Sequence, residues 1–153
     1  MDELQQRERQ RREHVVTFAA GRRLRYEWRV EDEAVLRRLQ PRPGERILDA
    51  GCGIGRLTSR ILRAGARVVA LDFAHARLRH LRLHAPPAPP GALVLAQADL
   101  TRLPLAPAAA FDAIVCTQVL EHLPTPQARQ SLLAALRTLL RPGGRLVLTV
   151  YNY

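Results

Sequence analysis

Short apolar runs alternate along the chain with segments whose apolar residues recur at helical spacing. The runs are Ile47-Leu48, Val68-Val69-Ala70-Leu71, Leu93-Val94-Leu95-Ala96, Ala113-Ile114-Val115-Cys116 and Leu146-Val147-Leu148-Thr149-Val150. Apolar runs without polar alternation suit strands buried on both faces, as in parallel sheets. Between the runs, Leu57, Ile61 and Leu62 mark a helix over residues 56–64, closed by Gly65. Leu78 and Leu81 mark another from about residue 74 to 84. Leu132, Leu133, Leu136, Leu139 and Leu140 form the stripe of a third, with Thr125 as its cap and Pro126 in its first turn. Arg141-Pro142-Gly143-Gly144 breaks it. An earlier helix is expected over residues 31–40, ended by Pro41-Arg42-Pro43-Gly44. Strands alternating with helices predict an α/β fold, with a parallel sheet and right-handed crossovers.

The first 14 residues are polar and give a solvated helix or disorder. Residues 15–30 are more apolar and include Tyr26 and Trp28, which either pack on the core or cap a pocket. The expected division is therefore an N-terminal helical segment, 1–43, partly disordered or pocket-capping, followed by a core, 44–153. Hydrophobic residues make up 47% and charged residues 25% of the 153, which is the balance of a globular domain. No apolar run is long enough to span a membrane, and the N-terminus lacks a signal-peptide pattern, so the default expectation is cytoplasmic.

The net charge of +10 changes the picture only a little. All 24 basic residues are arginine, and alanine, leucine and proline are abundant, a bias that codon usage explains without a polyanionic partner. RNA stays open as a less favoured partner. Cys52 and Cys116 read as reduced core thiols, near each other if their strands are neighbours. No Cys/His spacing suggests a metal site.

The candidate chemistry gathers where strands end. Ile47-Leu48 leads into Asp49 and then into Gly51, Gly53 and Gly55, a strand, a glycine turn and a helix start. A dinucleotide fingerprint needs its third glycine one place later, where Arg56 stands. Asp72 ends the second strand, 21 residues after Gly51, where an acid can accept both ribose hydroxyls of a nucleoside-containing cofactor. Asp99 follows the third strand, and Thr117 and Gln118 end the fourth. In open parallel sheets, ligands bind outside the carboxyl ends of the strands.

The run Asp49-x-Gly51-x-Gly53-x-Gly55 resembles the first motif of the class I S-adenosylmethionine (SAM)-dependent methyltransferases. Phe111-Asp112 with Leu120-Glu121-His122-Leu123 is similar to their fourth-strand segment in small-molecule, ubiquinone/menaquinone-pathway-like members. Leu140-Arg141-Pro142-Gly143-Gly144 is similar to their approach to strand five. The resemblance covers about residues 44–150 in family order. It implies a Rossmann-like doubly wound sheet in the order 3-2-1-4-5, lacking the family's usual last two strands. It implies SAM as cofactor, held by Asp49, Gly51, Cys52, Gly53, Gly55, Asp72, Phe73, Asp99, Leu100, Thr117 and Gln118. Asp99 would accept from the adenine amino group, the Leu100 N–H would serve a ring nitrogen, and Phe73 would lie on the adenine face. Some relatives hold a divalent metal with Glu-x-x-Glu-His, but Gln118 replaces the first Glu, and a neutral amide suits a hard cation poorly.

The implied activity is methyl transfer to an O, N or C nucleophile of a small molecule. No catalytic base is evident. An RNA methyltransferase and a non-catalytic SAM-binding or scaffolding module stay open beside it. The chain ends soon after the fifth strand, which predicts an incomplete enzyme, or self-association through that strand's apolar edge.

Overall fold

The computed structural model describes residues 22–103 and 111–150, and within the first helix the side chains from residue 28 onward. The Tyr26 side chain and the polar N-terminus, residues 1–21, therefore lie outside what is described. In chain order the elements are α1 (Arg22–Leu39), β1 (Arg46–Ala50), α2 (Arg56–Arg63), β2 (Arg67–Asp72), α3 (His75–His84), β3 (Leu93–Gln97), β4 (Phe111–Thr117), α4 (Pro126–Leu139) and β5 (Leu140–Thr149). Single 3-10 turns at Leu100–Arg102 and Leu120–His122 follow β3 and β4.

The five strands form one sheet in the order β3-β2-β1-β4-β5, and every pairing is parallel. The alternation of side chains sorts the core into two layers. Ile47, Val68, Ala70, Ala113 and Val115 face one side, with Val35 and Leu39 of α1, Leu57 and Ile61 of α2, and Leu78 and Leu81 of α3. Leu48, Leu71, Ile114 and Cys116 face the other, with Leu132, Leu136 and Leu139 of α4. This doubly wound arrangement is the expected one. Thr125 Oγ1 accepts from the Ala128 N–H at 3.1 Å, and Pro126 opens α4, so the helix begins at the predicted cap.

Three expectations need correction, the last of them on the cysteines. The first helix does not begin at Glu31; it runs back to Arg22, since six of the nine residues 22–30 are Arg, Leu or Glu, all good helix formers, and no Gly or Pro interrupts them. Its far end is tied to the sheet. Arg145 Nε donates to the Leu39 carbonyl at 2.9 Å, and the same guanidinium pairs with Glu45 at 2.7 Å, so a cation satisfies the helix's C-terminal carbonyls. The second correction concerns residues 141–144, expected to separate helix from strand. Leu140 already pairs with Phe111, and pairing resumes as Ala113 with Arg145, so these residues form a bulge inside β5. Asp112 fixes it: its carboxylate takes Arg141 Nη1 at 2.5 Å on one oxygen and the Arg46 N–H at 2.6 Å on the other.

The cysteines sit in different layers. Cys52 belongs to the α1–α3 side and Cys116 to the α4 side, so neighbouring strands do not bring the thiols together. Both are free and buried. Burial pushes the Cys116 thiol up to about 12 and raises Cys52 further, which leaves both protonated and inert near neutrality.

Candidate functional site

The sheet carries its polar groups to one edge. In strand order, Asp99 follows β3, Asp72 ends β2, the glycine turn follows β1, Thr117 and Gln118 end β4, and Thr149 ends β5. Adjacent strands lie about 4.8 Å apart, so β3 to β4 spans about 14 Å.

The glycine turn is built by backbone geometry. Gly51, Gly53 and Gly55 have φ of +87°, +57° and +86°, the left-handed region. A Cβ on Gly51 would collide with Val119, and one on Gly55 with Leu81, which is how closely the turn is packed. The N–H groups of Gly51 and Cys52 both donate to the Leu71 carbonyl at 2.8 Å, pinning the turn to the end of β2. Asp49 lies beneath it, 1% exposed, and accepts from Thr58 Oγ1 at 2.5 Å. Burial pushes its carboxyl up to about 6, against the Thr58 hydrogen bond; the Asp72 charge adds to the rise. Asp49 therefore supports the turn from within. Cys52 is likewise buried, at 8% exposure.

Asp72 is 5% exposed. Its Oδ2 accepts the Gly53 N–H at 2.9 Å and its Oδ1 the Ala74 N–H at 2.9 Å. An ionised carboxylate has about four lone-pair sites, so two remain for a ligand. Phe73 is half-buried, and its carbonyl accepts from Gln97 Nε2 at 2.9 Å.

Asp99 Oδ1 accepts from both the Thr101 N–H, at 2.9 Å, and Thr101 Oγ1, at 2.7 Å. It caps the turn that contains half-buried Leu100. Its Oδ2 takes no bond among the described residues. Thr117 and Gln118 are half-buried, and Gln118 holds φ at +53°, unusual for a side chain of its size.

A polar cluster not foreseen from the sequence joins α1 to this edge. Glu31 Oε2 accepts from Gln118 Nε2 at 2.5 Å and from Arg56 Nη2 at 3.1 Å, and its Oε1 accepts from Thr149 Oγ1 at 2.7 Å. Arg56 Nη1 donates to the Trp28 carbonyl at 3.0 Å and stands 2.9 Å from Asp32 Oδ1, an ion pair that is off the hydrogen-bond axis. The guanidinium lies over the Trp28 ring, 5.3 Å from its centre. Burial raises the Asp32 carboxyl, and Arg56 opposes the rise. Three consecutive acids, Glu31-Asp32-Glu33, in an arginine-rich helix were the available signal; Glu33 pairs with Arg60, one turn along α2.

Glu121 follows β4 in its 3-10 turn, and both its carboxylate oxygens are buried without a hydrogen bond among the described residues. Among the described residues no group of three or more His, Cys, Asp and Glu side chains is placed to hold a metal ion.

Residues 48–148 match a family model described as a methyltransferase domain. The chain is 38% identical over 120 residues to a ubiquinone biosynthesis O-methyltransferase of Xanthomonas axonopodis pv. citri, covering 78% of this chain and 48% of that protein. It is 40% identical over 112 residues to one of Xylella fastidiosa, covering 73% and 44%. Among solved structures, magnesium protoporphyrin IX methyltransferase of Synechocystis PCC 6803, crystallised with bound SAM, superposes with a TM-score of 0.71 at 26% identity, covering 92% of this chain and 68% of that one. The chain spans about half the length of the curated relatives it matches.

Proposed function

The chain belongs to the methyltransferase domain family, and from that premise we propose that it binds SAM and passes the methyl group to an oxygen nucleophile of a small molecule. The observation that carries this reading is the succession of Asp99, Asp72, the glycine turn and Thr117–Gln118 along adjacent strand ends. A cofactor laid across them meets an acid for adenine, an acid for ribose and close-approach backbone for its amino-acid end. Asp49 stabilises the turn and does not touch the ligand. Asp72 accepts the ribose hydroxyls with the lone pairs that Gly53 and Ala74 leave over. Asp99 offers Oδ2 to the adenine amino group while Oδ1 keeps the cap, and Leu100 and Phe73 flank the base.

When bound, SAM supplies an activated methyl group on a sulfonium. The residues of this chain orient it and exclude water, so that a nucleophile about 3–3.5 Å away attacks in line with the leaving sulfur. A hydroxyl acceptor must also lose a proton, which calls for a base within hydrogen-bond reach. The preference for oxygen rests on relatives named as O-methyltransferases of ubiquinone biosynthesis. Glu31, Asp32, Asp72 and Asp99 stand at or beneath this edge against one guanidinium, Arg56, a local acidic excess in a chain of net charge +10. That excess favours a sulfonium cofactor there and disfavours a phosphate backbone. No helix among the described residues is long and apolar enough to cross a membrane, and a cytoplasmic setting fits that.

Incubation with methyl-tritiated SAM and a panel of phenols and catechols tests the reading. Label in an extractable product, with matching S-adenosylhomocysteine, is expected. Label in RNA from a cell extract, with none in small molecules, would overturn the acceptor class.

A further inference from the structure

We propose that Glu31 and Arg56 form a clamp for the two charges at the amino-acid end of the cofactor, Glu31 taking the ammonium and Arg56 the carboxylate. The proposal rests on the SAM-binding reading above and goes further by assigning ligand contacts to α1. With adenine at Asp99 and ribose at Asp72, strand order sends the amino-acid end past the glycine turn towards β4. There the side chain of Gln118 donates to Glu31, which is also held by Thr149 of β5 and by Arg56 at the start of α2. The Glu31 and Arg56 side chains keep 20% and 27% exposure, so both are held yet reachable.

The local charge fits the ligand. Two acids, Glu31 and Asp32, face one guanidinium. The cofactor brings an ammonium and a sulfonium against one carboxylate, the complementary excess. Arg56 is also the first residue of α2, in a first turn without acids, where a cation opposes the helix dipole. A ligand carboxylate at that place would be favoured by the guanidinium and by the dipole together. Asp32 remains to balance Arg56 once the ligand ammonium shares the Glu31 carboxylate. The Gln118 amide and the Thr149 hydroxyl hold the Glu31 carboxylate in place, so little side-chain freedom is lost on binding.

Paired titrations with S-adenosylhomocysteine and 5′-methylthioadenosine, which lacks the amino-acid end, test the clamp. Glu31→Gln is expected to weaken S-adenosylhomocysteine by about tenfold, the loss of one charged hydrogen bond, and to leave methylthioadenosine within about twofold. Arg56→Gln should show the same split. Thr149→Val, which removes only a support of Glu31, should change the ratio less. Equal weakening of both ligands would mean that Glu31 merely holds the fold, and an unchanged ratio would mean that the clamp lies elsewhere; either overturns the proposal. The wild-type chain gives an independent reading. It should bind S-adenosylhomocysteine about tenfold more tightly than the analogue with hydrogen in place of the amino group, and equal affinity would overturn the ammonium contact. If the wild type binds methylthioadenosine but shows no preference for the longer ligand, the clamp alone fails. If it binds neither, the SAM reading fails with it.

Discussion

Asp72 accepts the Gly53 N–H at 2.9 Å, so the acid that ends β2 and the glycine turn that follows β1 are one hydrogen-bonded unit. The same carboxylate holds the Ala74 N–H at the entry to α3. Replacing Asp72 by alanine should therefore have two effects. Loss of charged hydrogen bonds to ribose should weaken SAM by about 1.5–3 kcal/mol, and the orphaned amides should lower stability by about 1–3 kcal/mol. Asp72→Asn keeps one acceptor oxygen and should fall between wild type and alanine in calorimetry. Unchanged affinity in Asp72→Ala would remove it from the ribose site.

Gly55 and Leu81 make a second coupled pair. A Cβ at Gly55 runs into the Leu81 side chain, and φ of +86° is unfavourable for any L side chain. Gly55→Ala should destabilise by about 2–4 kcal/mol, part backbone strain and part overpacking. Leu81, fully buried, should cost about 2–5 kcal/mol on its own when cut to alanine. The double variant should be less damaged than the sum of the two, because the shorter side chain makes room. Strict additivity in denaturant unfolding would contradict the contact.

Asp49 predicts a pH dependence. Its carboxyl is pushed from 3.8 to about 6 in the fold, so between these values the native state binds more protons than the unfolded chain. Stability is then highest below about pH 4 as far as this group is concerned, and falls as pH rises towards 6. The full loss is about 3 kcal/mol. Asp49→Asn should flatten that part of the profile in denaturant unfolding measured from pH 4 to 7. A variant whose slope matches wild type would show that Asp49 is ionised in the fold at low cost.

Cys52 and Cys116 should resist alkylation by iodoacetamide at pH 8 in the folded chain and react fully in guanidinium. Their thiols are buried and raised well above that pH. Rapid labelling of native Cys52 would mean that the glycine turn opens readily.

Much of the fold was legible because a parallel sheet leaves a plain trace. Its strands are apolar on both faces, and its ligand groups stand at the strand ends. Gly51-x-Gly53-x-Gly55, Asp72 and Asp99 fall where that rule puts them. The cluster around Glu31 was not legible, since its bonds to Gln118 and Thr149 join residues 87 and 118 positions apart. Only the docking of α1 brings them together. The bulge at 141–144 escaped for a similar reason. Pro142-Gly143-Gly144 reads locally as a stop, and it is the Asp112–Arg141 ion pair across β4 that keeps the segment in the sheet. Asp99 caps a turn and is still open to the adenine contact proposed for it, since its cap uses Oδ1 alone.

Isothermal titration of the chain with SAM, S-adenosylhomocysteine and NAD tests the central claim most directly. SAM and S-adenosylhomocysteine should bind at one site per chain, with affinity in the micromolar range, and NAD should give no heat above dilution. A folded sample that binds NAD, or none of the three, would contradict the account.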